Sequence, residues 1–229
     1  MARARAASAK AAAALAQALA SPAPALKPGK INTTDPSSKI MQAKNGGFGQ
    51  LHNIQALASK DQVILGIGAH PSPVDVAGLH PLLAAGRATL DAAGITTPIG
   101  AALFDAGYAS DTNFTTACEP DLYVAITREA RQTGRLNDGK KPATRMHSWQ
   151  QMAAKLDTPD GKALYRQRAG IIEPVFAQLF ARLGTRLNYR DQRTSLELHL
   201  WAASHNFLKA IRARQRQATQ QTPTPAPAT

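Results

Sequence analysis

The stretch Leu103-Phe104-Asp105-Ala106-Gly107-Tyr108 limits what this chain can fold into more than any other. Ile99 to Phe104 is apolar apart from Gly100, which reads as a buried strand. The strand delivers Asp105 to its C-terminal edge, where the chain turns through Gly107. Ser110-Asp111-Thr112-Asn113 then offers helix-capping residues ahead of Phe114. A carboxylate at the end of an interior strand is where open α/β sheets hold ligands or metals. The same residue could equally cap the next helix or fix the turn. Sequence leaves both readings open.

Around that strand the pattern predicts a mixed α/β layer fold with its helices gathered towards the C-terminus. Residues 1–30 are an Ala-rich helix followed by a Pro-rich linker, residues 31–215 are the domain proper, and residues 216–229 are a disordered tail. Within the domain, an extended segment and turn over 39–49 lead to strands at 52–57 and 62–68. Lys60-Asp61 connects these two as an antiparallel hairpin. A helix follows from Asp75 to Leu90, with Pro81 expected to bend or split it. After the Asp105 strand come a helix from Thr112 and a strand over 121–126. Residues 128–147 read as a loop and 149–156 as a short helix. From Pro159 a long apolar stripe runs to Leu183, with a kink or a fresh start expected at Pro174, since proline costs about 3 kcal/mol in a helix interior. A last helix covers 195–212.

Charge is unevenly placed. The net charge is +12, yet residues 61–120 hold Arg87 as their one basic residue against six acidic ones, while residues 160–229 hold eleven basic and four acidic. An acid-rich centre between basic segments suits an enzyme that acts on a polyanion through bound cations. No run approaches 18 strongly apolar residues, so no membrane span and no membrane partner are expected. The single cysteine, Cys118, excludes an internal disulfide framework and fits a reducing, cytoplasmic setting. No Gly-x-Ser-x-Gly turn, phosphate-binding glycine loop or zinc spacing occurs, which argues against a small-molecule substrate.

Glu173 sits in the apolar stripe between Ile172 and Val175. Such a glutamate would be partly desolvated and would need a cation or a donor, with Arg166 and Arg168 nearby. Either it makes a buried ion pair, or it points to Asp105 and the two hold Mg²⁺ or Mn²⁺ through hard oxygens. Upstream, Asp35 lies in a turn, Asp61 in a hairpin loop, and Asp75 in position to cap a helix. Arg182, Arg186, Arg190, Arg193 and Tyr189 form a basic run suited to phosphate contact.

Taken in order, several blocks resemble the DDE transposases of bacterial insertion sequences, of the IS1182 group in the IS4/IS5-like superfamily. They are Asn32-Thr33-Thr34-Asp35-Pro36 with Gly49-Gln50-Leu51-His52-Asn53, then Asp75 with Leu79-His80-Pro81-Leu82-Leu83, then Phe104-Asp105-Ala106-Gly107-Tyr108, then Leu164-Tyr165-Arg166-Gln167-Arg168 leading to Glu173-Pro174-Val175-Phe176, and finally Ser204-His205-Asn206-Phe207-Leu208-Lys209. The resemblance implies a ribonuclease-H-like mixed sheet flanked by helices. It further implies metal-dependent cleavage and joining at transposon ends, with Mg²⁺ or Mn²⁺ as cofactor, DNA as partner and a homodimer as one assembly open to it. It makes Asp105 and Glu173 the second and third catalytic carboxylates and metal ligands, and gives Tyr165 and Arg168 contacts to DNA phosphates. The family's first aspartate has no counterpart before Asp35. The expectation is therefore a truncated copy with impaired or no activity, its sheet lacking the first strand. The alternative is a non-catalytic DNA-binding protein that uses its basic C-terminal helices.

Overall fold

A computed structural model describes residues 34–43, 46–70, 72–126 and 143–221, apart from the side chains of 143–146, 192 and 221. The expected helix and linker over 1–30, most of the 128–147 loop and the end of the tail lie outside these residues. Strands and helices run in the order β1 (Lys39–Gln42), β2 (Phe48–Leu51), β3 (Asn53–Ala58), β4 (Ile64–His70), α1 (Leu79–Ala92), β5 (Ala101–Phe104), α2 (Asp111–Thr115), β6 (Asp121–Val124), α3 (Ala143–Asp157), α4 (Pro159–Tyr165), α5 (Gln167–Leu183) and α6 (Gln192–Gln221). Short 3₁₀ turns precede α1 and follow β5. This is a mixed α/β fold. Among the described residues the strands form three separate pairs and not the expected single sheet: antiparallel β1–β2, antiparallel β3–β4 and parallel β5–β6.

Two apolar clusters hold the elements. One buries Leu79, Leu82 and Leu83 of α1 against Ala102 and Phe104 of β5 and Leu122 and Val124 of β6, with Met152 and Leu156 of α3 closing it. The other buries Ile64 and Ile67 of β4 against Val175 and Leu179 of α5 and Leu198 and Trp201 of α6. Alternation along β3 serves both, because successive side chains leave a strand on opposite faces. Leu57 packs on the first cluster, and Ile54 and Ala56 pack on the second. Helix α1 comes close to β3 at Gly86, where a Cβ would lie 2.5 Å from Leu57 Cδ2.

Several local expectations change. Pro81 occupies the first turn of α1, where its missing N–H costs nothing, so the helix continues unbroken to Ala92. Pro174 lies inside α5, and the break in the long stripe falls instead at Arg166, between α4 and α5. Helix α3 already begins at Ala143, inside the stretch read as a loop. Helix α6 continues to Gln221, past the point where the tail was expected to start.

Candidate functional site

Asp105 leaves β5 in an extended conformation and its Oδ1 accepts the Gly107 N–H at 2.9 Å, capping the 3₁₀ turn Ala106–Tyr108. The capping role considered from sequence is thus real, and it engages only one carboxylate oxygen. Asp75 approaches the same turn from the other side. A Cβ on Gly107 would lie 2.5 Å from Asp75 Oδ2 and 3.0 Å from Asp105 Oδ1. Only a glycine leaves room for both carboxylates there. Sequence reasoning treated Asp75 as a helix cap, but its side chain makes no cap hydrogen bond. Its Oδ1 accepts instead from Asn53 Nδ2 at 2.7 Å and Gln55 Nε2 at 2.9 Å, both on β3. The signal was present: Asn53 and Gln55, two apart on a strand, put two amide donors on one face, and such a pair calls for an acceptor.

Tyr108 records the combined charge. Its hydroxyl is pushed far above the ordinary tyrosine value, first by burial and then by the negative charges of Asp75 and Asp105. Its ring packs edge-on against Phe104, with centroids 4.9 Å apart. Tyr165, at the end of α4, donates its hydroxyl to the Phe104 carbonyl at 3.0 Å and so fixes α4 to the end of β5. Arg168 lies over the Tyr165 ring, 5.9 Å from its centroid. Asp75, Phe104, Asp105, Tyr108 and Arg168 line a cleft of about 570 Å³ between β3 and β5, together with Leu164 and with Ile171, Ile172 and Phe176 of α5.

Glu173 stands elsewhere. It is exposed on α5, whereas Arg168, Ile172 and Phe176 of the same helix line the cleft. The expectation of a desolvated glutamate fails because the apolar stripe passes beside residue 173 rather than through it. No ion pair joins Glu173 to Arg166 or Arg168 among the described residues. The described residues contain no group of three or more His, Cys, Asp or Glu side chains able to hold a metal. The pair formed by Asp75 and Asp105 supplies hard oxygen donors of the kind Mg²⁺ accepts, and Mg²⁺ is often held by one or two protein carboxylates plus substrate phosphates.

The basic run expected to meet phosphate starts with Arg182 in the last turn of α5, crosses the loop with Arg186 and Arg190, and ends with Arg193 in the first turn of α6. Arg182, Arg186 and Arg190 are all exposed. Glu197, buried on α6, shapes this loop by accepting from Asn188 N at 3.0 and 2.8 Å, Asn188 Nδ2 at 2.9 Å and Tyr189 N at 2.8 Å. Burial pushes its carboxyl upward, but these donors outweigh that and hold it below the usual glutamate range. Asp35 has a comparable structural role. It pairs with His52 at 2.9 Å and accepts the Asp191 N–H at 3.0 Å, tying the start of the domain to the basic loop.

Residues 129–211 match the Transposase DDE domain family. The matched segment covers the described helices α3 to α5 and the greater part of α6, and so includes Tyr165, Arg168, Glu173 and the basic loop. Asp75 and Asp105 lie upstream of it. No curated protein matches the chain, and no solved structure does. Among the described residues no helix is long and apolar enough to cross a membrane.

Proposed function

We propose that this chain is the catalytic-domain part of an insertion-sequence DDE transposase of the IS1182 group, built on a ribonuclease-H-like plan, that binds DNA and cleaves it weakly or not at all. The observation that carries the reading is the position of Asp105: a carboxylate at the end of a buried strand, beside a second carboxylate, next to the Tyr165–Arg168 turn that opens the segment leading to Glu173. The match over residues 129–211 supports it.

In this reading Asp105 and Asp75 hold Mg²⁺ or Mn²⁺ with help from a DNA phosphate, an ion that would stabilise negative charge developing on a phosphodiester. Arg168 sits where it can reach a neighbouring phosphate, and Arg182, Arg186 and Arg190 extend the interaction along the DNA backbone. Tyr165 positions the turn through its bond to Phe104. Glu173 carries the glutamate's part in the family pattern, and from the exposed side of α5 it reaches the pair only if that helix turns. With two carboxylates, metal binding is weak in the absence of DNA.

The test is DNA affinity with and without Mn²⁺. Wild-type protein binds DNA more tightly with Mn²⁺, and Asp105→Asn removes that increment while leaving metal-free binding unchanged. Glu173→Gln reports whether α5 turns. Arg182→Ala, Arg186→Ala and Arg190→Ala together lower metal-free affinity and flatten its salt dependence, by about one in slope for each phosphate no longer neutralised. Binding indifferent to Mn²⁺ and to Asp105→Asn favours the non-catalytic DNA-binding alternative.

A further inference from the structure

The loop between α5 and α6 presents an aromatic side chain that neither apolar cluster takes up. Leu187 packs on the second cluster, whereas Tyr189, two residues on, is 49% exposed. Among the described residues its ring meets neither another ring nor a cation. The main chain that carries it is nevertheless fixed from several sides. Glu197 accepts the Asn188 and Tyr189 N–H groups, Asp35 accepts the Asp191 N–H, and the Thr194 N–H returns to the Asp191 carbonyl at 3.0 Å. Asp191 is left-handed, with φ of 55°, and turns the chain into α6. A ring on so firm a support loses little freedom when a flat partner settles on it.

Tyr189 lines an open cleft of about 440 Å³ together with Asn188, Arg190, Asp191 and Arg193. Arg190, Asp191 and Arg193 are exposed and make no ion pair among the described residues. Two unpaired guanidinium groups beside an unstacked ring match the two parts of a nucleotide, its phosphate and the face of its base. Asp191 adds a third demand. A carboxylate only accepts, so it suits the exocyclic amino group of adenine, cytosine or guanine, whereas the pairing edge of thymine sets a carbonyl on each side of its single N–H. In a duplex the base faces are stacked and the pairing edges occupied. A duplex therefore uses the arginines and leaves Tyr189 and Asp191 with nothing to hold.

We propose that this cleft binds an unpaired nucleotide of DNA, with the base on Tyr189, its amino group on Asp191 and the phosphate on Arg190 and Arg193. The chain thereby grips DNA where a duplex gives way to a single strand, and Arg182 and Arg186 follow the adjoining duplex backbone. The inference rests on the DNA-binding reading above and adds the strandedness and the base preference of the ligand.

The experiment measures, with the full chain and no divalent metal, the affinity for a blunt DNA duplex and for the same duplex with a four-cytosine single-stranded extension at a 3′ or a 5′ end. The extension tightens binding about tenfold, the size expected of a base stacked on an aromatic ring. In Tyr189→Ala the ratio of the two affinities falls to about one, and in Tyr189→Phe it is kept. A four-thymine extension gains less than four cytosines. Asp191→Asn removes that difference, because an amide donates as well as accepts and asparagine tolerates the left-handed backbone. In the unaltered protein, 5-iodocytosine placed in the extension photocrosslinks to Tyr189. Equal affinity for the blunt and extended duplexes overturns the inference and leaves the DNA reading standing. A gain that survives Tyr189→Ala, or crosslinking only at other residues, puts the single strand elsewhere and also overturns it. No affinity for either duplex removes the DNA reading and this inference with it.

Discussion

Asp75 and Asp105 meet across Gly107, their carboxylates flanking the one position in the turn after β5 that has no side chain. Neither can withdraw freely, because Asp75 is held by Asn53 and Gln55 and Asp105 by the Gly107 N–H. Gly107→Ala therefore forces a methyl group against two anchored oxygens, with an expected loss of about 1–3 kcal/mol in urea unfolding. Asp75→Ala should relieve part of that cost in the double variant. Strict additivity of the two changes would show that the carboxylates do not crowd the turn.

Asn206 seals the outer edge of the β3–β4 pair by imitating a strand at Ile64. Asn206→Ala leaves a buried N–H and a buried carbonyl without partners, at about 1–3 kcal/mol for each group. Asn206→Asp should cost at least as much, because a carboxylate cannot donate to the Ile64 carbonyl. Thermal unfolding of both variants checks this, and an unchanged midpoint in either would show that the side chain adds nothing.

Glu197 makes the basic loop sensitive to acid. Its carboxyl is held below the usual range in the folded protein, so its contribution is fully present above the unfolded-state value of about 4.3 and is lost as pH falls through the lower folded value. The Asn188 and Tyr189 amides should lose protection, measured against their intrinsic exchange rates, as pH falls through that lower value. In Glu197→Gln that acid-induced step should disappear, at the cost of a less stable loop at neutral pH.

How much of this could be read from sequence follows from the range of the interactions. The β3–β4 hairpin, the Asp105 strand and the last helix are set by apolar spacing and turn residues within a few positions, and these were legible. Asp75 beside Asp105 depends on two amides of β3 reaching over from another element, so its local context suggested only a cap. The exposure of Glu173 turned on a helical phase that a stripe of apolar residues fixes only loosely, with a break at Arg166 that no proline or glycine marks. Separate strand pairs could not be foreseen from strand count, since pairing is decided by distant edges. The family resemblance paired Asp105 with Glu173, whereas the structure sets Asp105 beside Asp75 and leaves Glu173 exposed on α5.

The most direct test of a metal-assisted, DNA-dependent site at Asp105 is paramagnetic broadening of backbone amide signals by Mn²⁺ in the DNA-bound protein. The Gly107 amide, which Asp105 itself accepts from, should broaden first and at the lowest Mn²⁺ concentration, and Asp105→Asn should abolish the effect while DNA remains bound. A Gly107 signal that persists while Mn²⁺ broadens residues elsewhere, or equal broadening in Asp105→Asn, would contradict the account.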